Sequence, residues 1–316
     1  MKGFVQNLKC PDEDVRFYLF TRHNPKDRQY IYIDETWEKS NLSTSHFDPL
    51  HPVKIIIHGY NSDMNLGPLV KMKNGIYLNR SNYNIVFADW SKLSSGPPPC
   101  YLSAVHNCGH VGTCIGQLIK RIIDSGTSNI HVIGFSLGAQ VPNFVANKLK
   151  PFVIPRITGL DPAMPGFIAT PNSNKLDSSD AAFVDVLHTN ALTQGTPERS
   201  GHVDFFMNGG VTQPGCDTLS FACSHHRAPE YFAESIRSLQ GFWGWECSSY
   251  IQYLIGLCKP TKKLLQAGED CRPESRGMFF VKTNSRSPYA LISIKLWVPN
   301  QILTIARSNI SNCQNT

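Results

Sequence analysis

The sequence predicts an α/β architecture: a central, mainly parallel sheet flanked by helices. Three observations carry that prediction. Continuous apolar runs such as "PVKIIIHGY" (52–60), "YNIVFADW" (83–90) and "IHVIGF" (130–135) have the character of parallel strands buried on both faces. Helix-like stretches with apolar residues three and four apart alternate with them, the pattern of strand–helix–strand units. Hydrophobic residues make up 41% and charged residues 17% of the 316-residue chain, enough apolar content for one large core and too much for a disordered chain.

Taken in order, "VRFYLFTR" (15–22) and "RQYIYID" (28–34) read as strands joined by the "HNPKD" turn. The runs at 52–60 and 83–90 follow. "GTCIGQLIKRIIDSG" (112–126) reads as a helix with apolar positions 115, 118, 119, 122 and 123 and a glycine stop. The strand at 130–135 leads to a helix at 139–149. Strands are expected at "IPRITGLDPA" (154–163) and "AAFVDVLHT" (181–189), and a helix at "APEYFAESIRSL" (228–239). From about residue 241 the chain is richer in aromatics and cysteines, and it either extends the sheet or forms a small appendage. No repeat or low-complexity linker divides it, so the expectation is a single domain over 1–316.

No stretch approaches the roughly 18 uninterrupted apolar residues of a membrane span, so the chain reads as soluble. The net charge of +6 is spread thinly, with one small run at Lys259-Pro260-Thr261-Lys262-Lys263. No aromatic–basic interleaving accompanies it, which argues against nucleic acid and leaves a mild attraction to anionic membrane surfaces. Ten cysteines fall in near-pairs (Cys108 with Cys114, Cys216 with Cys223, Cys247 with Cys258) and four more widely spread. No C-x-x-C zinc or redox motif is among them. Asn41, Asn79 and Asn309 begin glycosylation sequons. Together these features point to a secreted, disulfide-bonded glycoprotein. The opening "MKGFVQNLKC" has no apolar core and does not read as a signal peptide.

The stretch that carries chemistry is "HVIGFSLGAQ" (131–140), with Ser136 between Gly134 and Gly138. A chance G-x-S-x-G occurs in about one chain in ten of this length, so context decides. Here a strand feeds the turn and a helix leaves it, the arrangement that strains a serine onto an exposed corner. The glycines keep neighbouring strand and helix from colliding with side chains. Such a serine needs a histidine to take its proton and an acid to fix that histidine. Asp161, in "ITGLDPA", is the first acid at a strand end downstream. His188, His202, His225 and His226 all follow it. His225 and His226 sit beside Cys223 in what reads as a loop before a helix, and pattern alone leaves the choice open. Oxyanion donors are expected from the backbone amides of Leu137 and, after the strand ending in His58-Gly59, of Tyr60.

These blocks, with "NIVFADWSKL", "LDSSDAAFVDVLHTN", "GHVDFFMNGGVTQPGC" and "CSHHRAPEYFAESI", resemble the pancreatic lipase family, in particular its insect and wasp-venom phospholipase A1 members, over about 15–285. The resemblance implies an α/β-hydrolase fold and a triad of Ser136, Asp161 and His225. It implies a lid closed by a Cys216–Cys223 disulfide, with only "DTLSFA" between. That lid and the loop "ALTQGTPERS" (191–200) are both shorter than in digestive triglyceride lipases. Short loops imply an open site that admits a polar head group, hence sn-1 hydrolysis of glycerophospholipids at a membrane surface. A triacylglycerol lipase or galactolipase would share the same triad, and a lipid-binding storage protein the same fold. The chain length leaves no room for the family's C-terminal β-sandwich, so no colipase partner is expected. The resemblance also places a structural calcium at Asp177 and Asp180, although Asn172 and Lys175 depart from its pattern; catalysis requires no cofactor.

Two smaller signals have structural readings. His106, Cys108, His110 and Cys114 match no common zinc spacing. Trp243 and Trp245 suit either a core or a lipid–water boundary, with the core favoured.

Overall fold

The computed structural model describes residues 9–34, 40–217, 220–261, 263–292, 295–298 and 301–304. The chain order begins β1 (Arg16–Phe20), β2 (Gln29–Ile31), β3 (Val53–Ile57), α1 (Gly67–Lys71), α2 (Leu78–Arg80), β4 (Asn84–Asp89) and α3 (Ser91–Ser94). It continues through α4 (Tyr101–Asp124), β5 (Ile130–Phe135), α5 (Val141–Leu149), β6 (Ile154–Leu160), β7 (Ala181–His188), β8 (Val203–Met207) and α6 (Phe221–Ser235). It closes with β9 (Phe242–Cys247), α7 (Tyr250–Leu254), β10 (Leu264–Ala267), β11 (Gly277–Val281) and a hairpin of β12 (Lys295–Val298) and β13 (Gln301–Thr304).

Among the described residues, eleven strands form one sheet in the order β10-β9-β11-β8-β7-β6-β5-β3-β4-β1-β2. From β11 to β4 all neighbours run parallel. Antiparallel strands finish both edges. The expected fold class is therefore present, and the last third of the chain extends the sheet through β9, β10 and β11.

Alternation along each strand divides the core in two. Ile55 and Ile57 of β3, Val86 of β4 and Val132 of β5 pack with α4 and α5 on one face. Ile56, Phe87 and Ile133 pack with α1 and α6 on the other. Every residue of β3 and β5 is buried, which is why those strands read as unbroken apolar runs.

Two helices start earlier than the sequence suggests. α4 begins at Tyr101, eleven residues before the expected start, so "HNCGHV" is helical. Its polar and glycine residues have poor helix propensity, but Ala104, Asn107, Cys108, Val111 and Cys114 share one buried stripe, and burial outweighs propensity. α6 begins at Phe221, so His225 and His226 stand inside its first turns rather than in a loop. Pro229, which suggests a helix start, lies in the interior instead.

At the amino ends of the central strands lies a buried polar chain. Lys54 Nζ meets Glu269 Oε1 at 2.6 Å and His131 Nδ1 at 2.9 Å. His131 Nε2 lies 2.8 Å from Thr158 Oγ1, which donates to Asp185 Oδ1 at 2.8 Å. Arg156 pairs with both oxygens of Asp185 at 2.8 and 3.0 Å and donates to the Gly268 and Glu269 carbonyls. A lysine ammonium has only hydrogens to offer, so Nδ1 of His131 is the acceptor and the imidazole is neutral. Burial, then Lys54 and Arg156, push His131 well below its ordinary value.

Three disulfides are present among the described residues: Cys10–Cys114, Cys216–Cys223 and Cys247–Cys258. Cys114 thus pairs with Cys10, not with its sequence neighbour Cys108. Cys108 is a free buried thiol, as is Cys271, while Cys100 is free and half-buried. Cys313 lies outside the described residues. Trp245 is buried, as a core residue, and Trp243 is half-buried.

Candidate active site

Ser136 sits where β5 ends and a single 3₁₀ turn, Ser136–Ala139, leads into α5. Its φ is +58°, a left-handed conformation that non-glycine residues rarely hold without a reason. The surrounding glycines supply the tolerance. A Cβ on Gly134 would lie 2.2 Å from the Gly138 carbonyl oxygen, and one on Gly138 would lie 2.3 Å from that of His58. A Cβ on Gly59 would reach 2.7 Å from the Ser136 Cβ. The G-x-S-x-G corner and the His58-Gly59 turn are therefore fitted against each other.

Asp161 ends β6, is fully buried, and also has a left-handed φ, +45°. Its Oδ1 accepts the backbone amides of Thr189 at 2.7 Å and Asn190 at 3.0 Å. Oδ2 faces His225 Nδ1 at 2.5 Å. Gly195 leaves room for the carboxylate, since a Cβ there would sit 2.5 Å from Oδ1. With Nδ1 turned to a carboxylate, Nε2 is the nitrogen free to exchange a proton.

His225 is held from several sides. Its ring packs on Phe135 with centroids 4.8 Å apart. Four residues on, Pro229 has no N–H to give the His225 carbonyl, and Thr189 Oγ1 donates to that oxygen instead at 3.4 Å. The Cys216–Cys223 disulfide ends two residues before it. The structure singles out His225 among the four histidines. His188 is bonded to Asp204 at 2.9 Å and fully buried, and His202 Nδ1 accepts the Val184 amide. His226 is on the pocket wall, where burial and then the neighbouring His225 lower its pKa.

Ser136, His225, His226 and Tyr60 line a cavity of about 620 Å³, walled by Tyr101, Phe135 and others. The walls are fixed: Tyr60 OH donates to the Gly96 carbonyl at 2.7 Å and Tyr101 OH to that of Pro165 at 3.0 Å. Leu137, whose amide is the expected first oxyanion donor, is buried directly after Ser136. For Tyr60, the contribution of His58 escapes sequence reasoning. Its Nε2 accepts the Trp90 amide at 3.0 Å, so Nδ1 carries the proton and donates to the Gly59 carbonyl at 2.9 Å. Because a peptide is planar and trans, pinning that carbonyl turns the Tyr60 N–H the opposite way. The His-Gly pair is visible in the sequence, but this use of the imidazole is not. Thr189, Asn190 and Gly195 escape it too, because their parts depend on contacts between loops.

Asp177 and Asp180 form a capping box. Burial, together with the charge of Asp177, pushes Asp180 up to about 7. Asn143 Nδ2 donates to Asp180 Oδ1 at 2.9 Å and to the Asn172 carbonyl at 3.2 Å, which gathers oxygen atoms of the type calcium takes around an amide nitrogen. At the other cysteine–histidine group, Cys10, His110 and Cys114 come together. Both sulfurs are joined in a disulfide, and His110 Nε2 faces Asp12 at 2.8 Å. Of the sequons, the Asn41 carboxamide is engaged with the backbone of Tyr30 and Tyr32. Asn79 stands on α2, and Asn309 lies outside the described residues.

The profile of the family described as Lipase matches residues 3–289. Pancreatic lipase-related protein 2 of Cavia porcellus is 35% identical over 256 residues, covering 78% of this chain and 57% of its own. Pancreatic triacylglycerol lipase of Oryctolagus cuniculus is 35% identical over 273 residues, with coverage of 78% and 57%. Lipase member H of Danio rerio is 34% identical over 276 residues, 84% of this chain and 59% of its own. The chain thus spans little more than half the length of these relatives.

Proposed function

The chain belongs to the lipase family, and from that premise we propose that it is a secreted serine hydrolase of lipid acyl esters, acting on glycerophospholipids at sn-1. The observation that carries the chemistry is that His225, held by the buried Asp161 at 2.5 Å, lines the same cavity as the strained Ser136. Ser136 Oγ attacks the ester carbonyl while His225 Nε2 takes its proton and then delivers it to the leaving alcohol. Asp161 holds the imidazole in the required tautomer and stabilises the imidazolium. The Tyr60 and Leu137 amides receive the oxyanion, each supplying on the order of 3 kcal/mol. Water then hydrolyses the acyl-enzyme by the same steps.

The seven-residue spacing of the Cys216–Cys223 staple supports the phospholipid reading, because a lid this short leaves the pocket mouth open to a head group. One observation favours a neutral-lipid reading: no lysine or arginine lines the described cavity wall to meet a phosphate. The relative named as a triacylglycerol lipase points the same way. Purified protein given phosphatidylcholine labelled separately at sn-1 and sn-2, beside a triglyceride emulsion, decides between them. Selective sn-1 release supports phospholipase A1; dominant triglyceride hydrolysis replaces it with the neutral-lipid reading. Ser136→Ala must abolish both without unfolding the protein. A calcium ion on Asp177, Asp180 and the Asn172 carbonyl would brace the turn before β7, away from the reacting atoms.

A further inference from the structure

The segment from Cys247 to Cys258 is closed by a disulfide and carries α7. One side of it is firmly seated. Tyr250 stacks on Phe280 at 6.1 Å and Tyr253 at 3.7 Å. Tyr250 OH donates to the Gly209 carbonyl at 2.8 Å. The other side faces outward: Ile251, Leu254, Ile255 and Leu257 are each 62–70% exposed. Four large aliphatic residues standing in water on one short, stapled loop are unusual for a soluble surface.

Within the loop and just after it the charged side chains are lysines, and Glu246 precedes it. Between Cys247 and Lys263 the sequence has Lys259, Lys262 and Lys263 and no acidic residue. Lys259 is exposed, and Lys263 pairs with Glu246 at 2.6 Å. Aliphatic side chains bordered by lysines match a surface with an apolar interior and an anionic skin. The loop leaves the sheet at the amino ends of β8 and β11, where Cys247 stands opposite Met278, and α7 reaches back over Phe280 to the turn after β8. Gly209, which receives Tyr250, lies in the turn after β8, and the Gly210 carbonyl accepts the Ala191 amide at 2.7 Å. Ala191 adjoins Asn190, whose amide holds Asp161. Leu192, next in line, is 60% exposed in a left-handed conformation.

From this juxtaposition we infer that the Cys247–Cys258 loop is a membrane anchor: Ile251, Leu254, Ile255 and Leu257 enter an anionic lipid surface and Lys259 meets its phosphates. The inference rests on the lipid-hydrolase reading and names the surface through which the enzyme reaches its substrate. A second copy of the chain is a poorer occupant, because a stable interface takes 20–30 residues a side and this loop has ten between its cysteines.

The test is co-sedimentation with vesicles of phosphatidylcholine and phosphatidylglycerol, using Ser136→Ala so that no lipid is consumed. The anchor predicts that adding Ile251→Ser and Leu254→Ser weakens binding by ~10-fold or more, and that Lys259→Glu weakens it several-fold in a salt-dependent way. The emission of a Leu254→Trp variant should shift to the blue when vesicles are added. In the Ser136 background, the loop variants should hydrolyse a soluble short-chain ester at the parental rate. Failure of ester hydrolysis in the parent would strike the lipid-hydrolase reading and leave the binding result to stand. Unchanged vesicle binding in the double variant overturns the anchor. So does emission from the Leu254→Trp variant that is already blue-shifted without vesicles, which would show protein covering the face, or a parental dimer that the double variant splits.

Discussion

Replacing Gly59 with alanine tests whether the nucleophile corner is fitted as tightly as its geometry indicates. The new Cβ would stand 2.7 Å from the Ser136 Cβ, 3.1 Å from the Phe135 carbonyl oxygen and 3.2 Å from Ser136 Oγ. An ordinary contact begins near 3.4 Å, so the turn or the serine must retreat by about 0.7 Å. Gly59 has ordinary backbone angles, so the substitution introduces no strain of its own and the whole effect comes from the collision. A displacement approaching 1 Å at a reacting group costs roughly 100-fold in rate, or about 2.7 kcal/mol of transition-state stabilisation. The overpacking itself destabilises the fold by about 1–3 kcal/mol. The assay is kcat on a soluble p-nitrophenyl ester, beside urea unfolding of the same preparation. Activity should fall far more than the folded fraction does. A Gly59→Ala enzyme within threefold of the parent kcat would refute the claim that this turn is fitted against the nucleophile.

Asp161→Asn should lower kcat on the order of 10⁴-fold while leaving substrate binding little changed, because an amide no longer enforces the histidine tautomer; single-turnover kinetics would show it. His131 is held neutral by its burial and then by Lys54 and Arg156, with its folded pKa below the unfolded value near 6.5, so the folded state binds fewer protons in acid. Stability is therefore full above about pH 6.5 and declines below it by up to about 1.4 kcal/mol per pH unit. Unfolding midpoints at pH 7.5 and 5.5 should show that decline, and His131→Gln should flatten it. Chelation of calcium should lower Tm by about 5 °C relative to protein at 100 times the ion's Kd, with soluble-ester turnover unchanged at 25 °C; an identical Tm in chelator would remove the ion from the structure.

Much of this molecule is legible in its sequence because the relevant forces are local. Buried parallel strands announce themselves as apolar runs, and β5 is read to the residue. The Ser136 corner is legible because a strand, a glycine-framed turn and a helix must follow one another directly. Asp161 is legible for the similar reason that it ends a strand. His225 is not separable from His188, His202 and His226 by local pattern, since what distinguishes it is a carboxylate 64 residues away. Its helical setting is also obscured, because Pro229 imitates a helix start while Thr189 makes good the missing hydrogen bond. The Cys10–Cys114 pairing bridges 104 residues and leaves no local trace. For α4, propensity misleads over the first eleven residues because a buried face decides them.

The chain beneath the central strands bears on how the protein is made. Lys54 and Glu269 lie 215 residues apart, so the ammonium on β3 has no carboxylate until most of the chain has emerged from the ribosome. A buried ammonium without its counter-charge costs several kcal/mol. A nascent chain halted before Glu269 therefore keeps Lys54 in water, and with it the lower ends of β3 and β5, although every residue of the Ser136 corner has already been translated. The corner around Ser136 is thus assembled only once Glu269 has been made, and a product terminated before that residue carries the motif without its surrounding geometry.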